Sequence, residues 1–108
     1  MRKLETSEWE VMASTVPEWR FSTERGGMIS REFRFASFAQ AFGFMAQLAI
    51  TAERLEHHPE WFNVAERVLI TLTTHDVEGL SSNDIDFAAA ADRAYAAHAT
   101  PPAQAPAQ

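Results

Sequence analysis

The sequence predicts an α+β domain with the order α-β-β-α-β-β-α, its four strands forming an antiparallel sheet with helices packed on one face. Three observations carry this. Apolar residues alternate along 28–35 and again along 67–74, the period of a half-buried strand. Between those stretches, from Phe38 to Leu55, they recur at helical spacing. Breakers stand at the seams, with Gly26-Gly27, Pro59 and Gly79 each following one of the periodic runs or the strand before it. A chain of 108 residues, 46% hydrophobic and 22% charged, suits one domain with its own core, placed at 1–98. Positions 99–108, Ala, Pro and Gln apart from Thr100, read as a disordered tail.

In chain order, Ser7 is placed to cap a short helix over 8–14, with acids in its first turn and Trp9, Met12 and Ala13 on one side. Pro17 ends it. Residues 19–23 are short and strand-like, and Glu24-Arg25-Gly26-Gly27 forms a turn. The run 28–35 then sets Ile29, Phe33 and Phe35 against Ser30, Glu32 and Arg34, which completes a hairpin. Ser37 with Gln40 matches a capping box, and at about 100° per residue Phe38, Phe42, Phe44, Met45, Leu48, Ala49, Ala52 and Leu55 make one broad stripe, expected in the core. His57 and His58 end this helix before Pro59. Beyond it 61–64 is extended, and Val68, Ile70 and Leu72 alternate with Arg67, Leu69 and Thr71. A tight turn near Ala65-Glu66 makes this a second hairpin, with one bent strand as the alternative. Ser81 with Asp84 matches a second capping box, opening a helix that runs to about His98 and packs through Ile85, Ala88, Ala89 and Tyr95. His98 is expected at the surface. Trp19, Phe33, Phe35, Trp61 and Phe62 argue against a wholly polar second face of the sheet, so a homo-oligomer is expected.

Charge and composition exclude several classes. The formal net charge is -6, and the nine Lys and Arg are scattered, which argues against direct nucleic-acid binding. Without cysteine there is no disulfide, thiolate nucleophile or cysteine-ligated metal. The longest apolar stretch, 41–50, is too short to span a bilayer, and Glu5, Glu8 and Glu10 interrupt any signal-like region, so a cytoplasmic protein is expected. No glycine-rich phosphate loop, dinucleotide fingerprint or nucleophile elbow is present.

Three of the four histidines gather in 53–76: His57 and His58 at a helix end and His75 at a strand end. Ends of elements are where a rigid scaffold presents polar groups to a ligand. Imidazoles suit general acid and base work because their ordinary pKa, about 6.5, keeps both protonation states accessible near neutrality. A carboxylate beside an imidazole fixes its tautomer. Glu53, four residues before His57, and Glu56 are candidates for the pair; Asp76 or Asp84 is the candidate for His75. Two other readings stand beside this one. A zinc or iron site on His57, His58 and His75 is disfavoured, since adjacent helical side chains diverge by about 100°. The bland reading is that His57 and His58 merely terminate a helix, where histidine interacts well with the dipole.

The string His57-His58-Pro59-Glu60-Trp61-Phe62-Asn63-Val64, with Ala52-Glu53 before it and Ile70-Thr71-Leu72-Thr73-Thr74-His75-Asp76, Gly79-Leu80-Ser81 and Asp84 after it, resembles the signature of the pterin-4a-carbinolamine dehydratases. Phe33-Arg34-Phe35, Phe38 and Ala41-Phe42-Gly43-Phe44-Met45 are similar to the same family, and the likeness spans about residues 19–95. The resemblance implies a four-stranded antiparallel sheet flanked by helices, a homodimer or homotetramer, and no cofactor or metal. The implied reaction dehydrates a 4a-hydroxytetrahydropterin to the quinonoid dihydropterin. It recycles tetrahydrobiopterin after an aromatic amino acid hydroxylase has turned over. It also implies the roles. His57 and His75 are the principal base and acid, while His58 binds and positions the pterin. Glu53 orients His57, and Glu56, Thr73, Thr74 and Asp76 are pocket-wall contacts. A non-catalytic protein-binding or assembly factor on the same fold is the alternative. Ala65 stands where many relatives carry Tyr, and Asn83 where Arg is common, which leaves substrate preference and assembly open.

Overall fold

The structure, a computed structural model, describes residues 1–98; the tail expected over 99–108 lies outside the described residues. Seven main elements follow in order: α1 (Thr6–Met12), β1 (Arg20–Ser22), β2 (Met28–Arg34), α2 (Phe38–Leu55), β3 (Glu60–Val64), β4 (Arg67–Leu72) and α3 (Ser82–His98). The fold is α+β, and its four strands form one antiparallel sheet in the order β1-β2-β4-β3. Each hairpin pairs consecutive strands, and β2 joins β4 at the centre, so β3 lies on an edge.

Period-two alternation decides what the helices cover. Phe21, Ile29 and Leu72 are cross-strand neighbours, as are Phe33 and Val68, and all of these point the same way as Ile70. Ile29, Phe33, Val68, Ile70 and Leu72 are buried against the helices in a single core. Arg31 shares this face. Its guanidinium lies over Phe33 at 4.5 Å and pairs with Asp92 of α3 at 2.7 Å, while Trp19 donates to the same carboxylate at 2.9 Å. A charge within an apolar alternation thus ties α3 to the sheet.

Helix α2 is capped as expected, Ser37 Oγ accepting from the Gln40 N–H at 3.1 Å. Its buried stripe is narrower than expected: Ala41, Phe44, Leu48 and Ala52. Phe38, Phe42 and Ala49 are exposed, standing roughly a fifth to a third of a turn round the axis from the stripe's centre. The Phe38 and Phe42 rings instead approach each other at 6.0 Å. Two further expectations are corrected. Glu5, not Ser7, caps α1, in a reciprocal box with Glu8 that a two-pronged Arg2–Glu8 ion pair holds in place. His98 is half-buried, edge-on to Phe35 at 5.5 Å. Phe87, which alanine-rich surroundings obscured, is fully buried on α3.

The second hairpin is two strands. Ala65 takes a left-handed conformation (φ 50) in the two-residue turn, and the Asn63 side-chain amide donates to the carbonyls of Ala65 and Arg67 at 3.1 and 2.8 Å. On the sheet's open face, Phe62 and Leu69 are cross-strand neighbours and are exposed, as is Val64. Of the five aromatics expected to make that face apolar, Trp19 and Phe33 are buried, Phe35 and Trp61 pack against the core from the helix side, and Phe62 alone is on the open face. No helix among the described residues is long and apolar enough to cross a membrane.

Candidate functional site

The site is built where α2 ends. Leu55 is the last helical residue and Glu56 follows in the left-handed region (φ 53, ψ 44). The Glu56 N–H donates to the Glu53 carbonyl at 3.2 Å and the His57 N–H to the Ala52 carbonyl at 3.0 Å, the two bonds of a Schellman motif. This reversal turns His57 off the helix and into the interior, where it is 8% exposed.

There His57 meets the start of α3. Its Nε2 lies 2.5 Å from Asp84 Oδ1, and Asp84 is fully buried. The other carboxylate oxygen, Oδ2, accepts from Thr74 Oγ1 at 2.7 Å and from the Ser81 N–H at 2.9 Å. Since Thr74 donates to Asp84, its contact of 2.8 Å with Ser81 Oγ has Ser81 donating. A carboxylate only accepts, so His57 Nε2 carries the hydrogen of that bond, and the lone pair of a neutral ring is on Nδ1. Among the described residues no buried side-chain N or O atom lacks a hydrogen-bond partner.

Thr74 links this interior network to a surface cavity. Its backbone bridges to Gly79, N–H to carbonyl at 2.8 Å, closing a short loop around a 3₁₀ turn at His75–Val77. His75 is thereby presented at the loop's start, 79% of its side chain exposed. It lines a cavity of about 470 Å³ together with Thr73, Thr74, Lys3, Arg25 and Glu78. Thr73 is fixed by a bond of 2.7 Å to the Gly27 carbonyl. Glu60 faces the same histidine, with Oε2 3.8 Å from His75 Nε2. It is gripped by both Arg25 nitrogens at 2.8 and 2.7 Å, and these bonds hold the Glu60 carboxyl below the usual carboxylate range, with lesser help from His75.

Several expected pairings change. Glu53 bonds His58 Nε2 at 2.9 Å, not His57, because the i to i+4 relation requires a helix that continues and this one stops at Leu55. Asp84 serves His57 rather than His75. Glu56 and Asp76 are exposed, and neither lines the His75 cavity. Arg25, Glu60 and Ser81 were not anticipated at the site. For Ser81 and Asp84 the signal was present as a capping box, but spacing along one helix says nothing about a histidine 27 residues away. Among the described residues no group of three or more His, Cys, Asp or Glu side chains is arranged to hold a metal ion.

With this geometry in place, comparison with known proteins gives concordant results. The family profile described as Pterin 4 alpha carbinolamine dehydratase matches residues 2–94. A protein of Novosphingobium aromaticivorans provisionally named pterin-4-alpha-carbinolamine dehydratase is 51% identical, over 82% of this chain and 91% of its own length. One of Burkholderia multivorans with the same provisional name is 46% identical, over 94% of this chain and 97% of its own. Among solved structures, a transcriptional coactivator/pterin dehydratase from Brucella melitensis superposes with a TM-score of 0.82 at 41% identity, covering 86% of this chain and 98% of that one. A pterin dehydratase-like protein described as a RuBisCO assembly factor in the alpha-carboxysome superposes with a TM-score of 0.63 at 29% identity, covering 72% and 89%.

Proposed function

We propose, from the premise that this chain belongs to the pterin 4 alpha carbinolamine dehydratase family, that it is a working dehydratase of 4a-hydroxytetrahydropterins, acting by histidine acid–base catalysis. The observation that carries this reading is the buried Asp84, which accepts from His57, Thr74 and Ser81 at once and so orders one imidazole beside the loop that presents the other.

The chemistry asks for two proton transfers and nothing more. A base takes a ring N–H proton, an acid protonates the hydroxyl on carbon 4a, and that group leaves as water while the ring gains a double bond. His57, with its Nε2–H held by Asp84, offers Nδ1 to a proton. His75, exposed on the cavity rim beside Glu60, is the second transfer group. His58, bonded to Glu53 and exposed, contributes binding, and Thr73 and Thr74, whose hydroxyl hydrogens go to the Gly27 carbonyl and to Asp84, form part of the cavity wall beside the heterocycle. On this reading the substrate is a 4a-hydroxytetrahydrobiopterin produced by an aromatic amino acid hydroxylase, and the protein works in the cytoplasm as a homodimer or homotetramer.

The test is to generate the 4a-carbinolamine with an aromatic amino acid hydroxylase, add chelator, and follow its decay by ultraviolet absorbance. Wild-type protein is expected to accelerate the decay, and the His57→Ala, His75→Ala double variant to lose at least about a hundredfold. A wild-type protein that is folded but leaves the spontaneous rate unchanged would sink the assignment. The outcome would then favour a non-catalytic partner-binding role, for which the exposed Phe62, Val64 and Leu69 are the motivating observation.

A further inference from the structure

Of the three site histidines, His75 alone has no hydrogen bond that fixes its ring. His57 Nε2 lies 2.5 Å from Asp84 and His58 Nε2 2.9 Å from Glu53, whereas among the described residues neither ring nitrogen of His75 makes such a bond. Its backbone, by contrast, is braced. Arg25, Gly26 and Gly27 of the β1–β2 turn have φ of 57, 83 and 129, and a Cβ on Gly26 would lie 1.9 Å from the Glu78 carbonyl oxygen. One on Gly79 would lie 2.7 Å from the Gly26 carbonyl oxygen, and Thr73 donates to the Gly27 carbonyl at 2.7 Å. Two backbones this close leave no room for a side chain, so the turn packs directly on the segment 73–79.

The same turn supplies Arg25. β4 lies between β2 and β3 in the sheet, and the Arg25–Glu60 pair, at 2.8 and 2.7 Å, joins the turn before β2 to the first residue of β3 across the end of β4. His75 follows that end by three residues. Glu60 Oε2 is 3.8 Å from its Nε2, and among the described residues no other carboxylate pairs with it. The remaining charges around the ring are Arg25, bound to Glu60; Lys3, which also lines a neighbouring cavity of about 610 Å³; Glu78; and the exposed Asp76 next in the chain. Glycine is the relaxed residue at a left-handed position, and what an arginine adds there is the grip on Glu60.

We propose that Glu60 is the positioning residue of His75: Arg25 fixes its carboxylate at the start of β3, and that carboxylate holds the protonated imidazole beside the cavity. Its attraction acts on the charged ring, so it serves an acid rather than a base. This rests on the dehydratase reading and deepens it by giving His75 the acid's part. The His75 proton goes to the hydroxyl on carbon 4a, the carbon–oxygen bond breaks as water leaves, and the ring N–H proton goes to His57 Nδ1 while its electron pair forms the new double bond. Neutral after the transfer, the imidazole is no longer drawn to Glu60.

Steady-state dehydration of the 4a-carbinolamine tests this on the full chain, with protein concentration raised for slow variants. Glu60→Gln is expected to lower kcat roughly three- to fivefold, the scale of an exposed charge pair, with KM changed by less than about twofold. In a His75→Ala background the same substitution should cost nothing further. Exchanging the charges, Arg25→Glu with Glu60→Arg, rebuilds a link between turn and strand but sets a cation beside the ring, so kcat should stay at or below that of Glu60→Gln. A second readout needs no turnover: at about pH 5.5, where imidazoles are mostly protonated, three-bond couplings should show one χ1 rotamer for His75 in wild type and averaging in Glu60→Gln. An equal kcat loss with His75 absent, full recovery by the exchanged pair, or a wild-type ring already averaged overturns the positioning role alone. Folded wild type that leaves the spontaneous rate unchanged overturns it together with the dehydratase reading.

Discussion

Asp84 is the residue on which the interior of the site depends, because it is fully buried and satisfied by three donors. Asparagine in its place turns one acceptor into a donor facing other donors. Asp84→Asn should therefore lower stability by about 1–3 kcal/mol, read as a shifted urea midpoint. It should also reduce dehydratase kcat/KM by roughly 10–100-fold, the scale seen when a partner orienting a working imidazole is lost. Glu60 makes a different, pH-dependent contribution. Its carboxyl is held below its ordinary value of 4.5, chiefly by Arg25, so the stabilisation is complete above that value and is lost as pH falls through the depressed folded value. The stability gap between wild type and Glu60→Gln should be flat above about pH 6 and close on acidification below about pH 4.5. Since both partners are well exposed to solvent, the gap should be about 1 kcal/mol or less; a gap that widened in acid would contradict the assignment. Neither residue's partner was legible in the sequence. Asp84 and His57 are 27 positions apart, and Arg25 and Glu60 35, and a pairing across such separations follows from the sheet register and helix docking rather than from local spacing.

At the scale of elements, the sequence was most legible where period and cap agreed. Ser37 and Gln40 set the start of α2, and alternation marked β2 and β4. The end of α2 was legible as an end, from Pro59, but not as a Schellman reversal, because glutamate at a left-handed cap carries no compositional signature. That single conformation transferred Glu53 from His57 to His58. The β3–β4 turn shows a similar strain. Ala65 sits at positive φ where glycine is the relaxed choice, so Ala65→Gly should raise stability by about 0.5–1 kcal/mol, with the dehydratase rate unchanged. A thermal unfolding series of the two proteins decides it.

Across the whole molecule, the sheet is covered on one face and open on the other, and the open face carries Phe62 beside Leu69, with Val64 exposed on the same edge strand as Phe62. If the homo-oligomer forms through this face, light scattering should find wild type as a dimer or tetramer at micromolar concentration and the Phe62→Glu, Leu69→Glu double variant as a monomer with an unchanged far-ultraviolet spectrum. An unchanged mass for the variant would remove this face from the interface. By itself the sequence determined the α+β class, the element order, the two hairpins and the segment holding the histidines. These follow from periodicity, caps and breakers, which act over a few residues. Packing settled which carboxylate each histidine meets, that Phe38 and Phe42 face outward, and that Lys3 lies between two cavities. Those outcomes depend on where distant elements are brought together by burial of a shared core, and burial is a property of the packed whole rather than of any local run of residues.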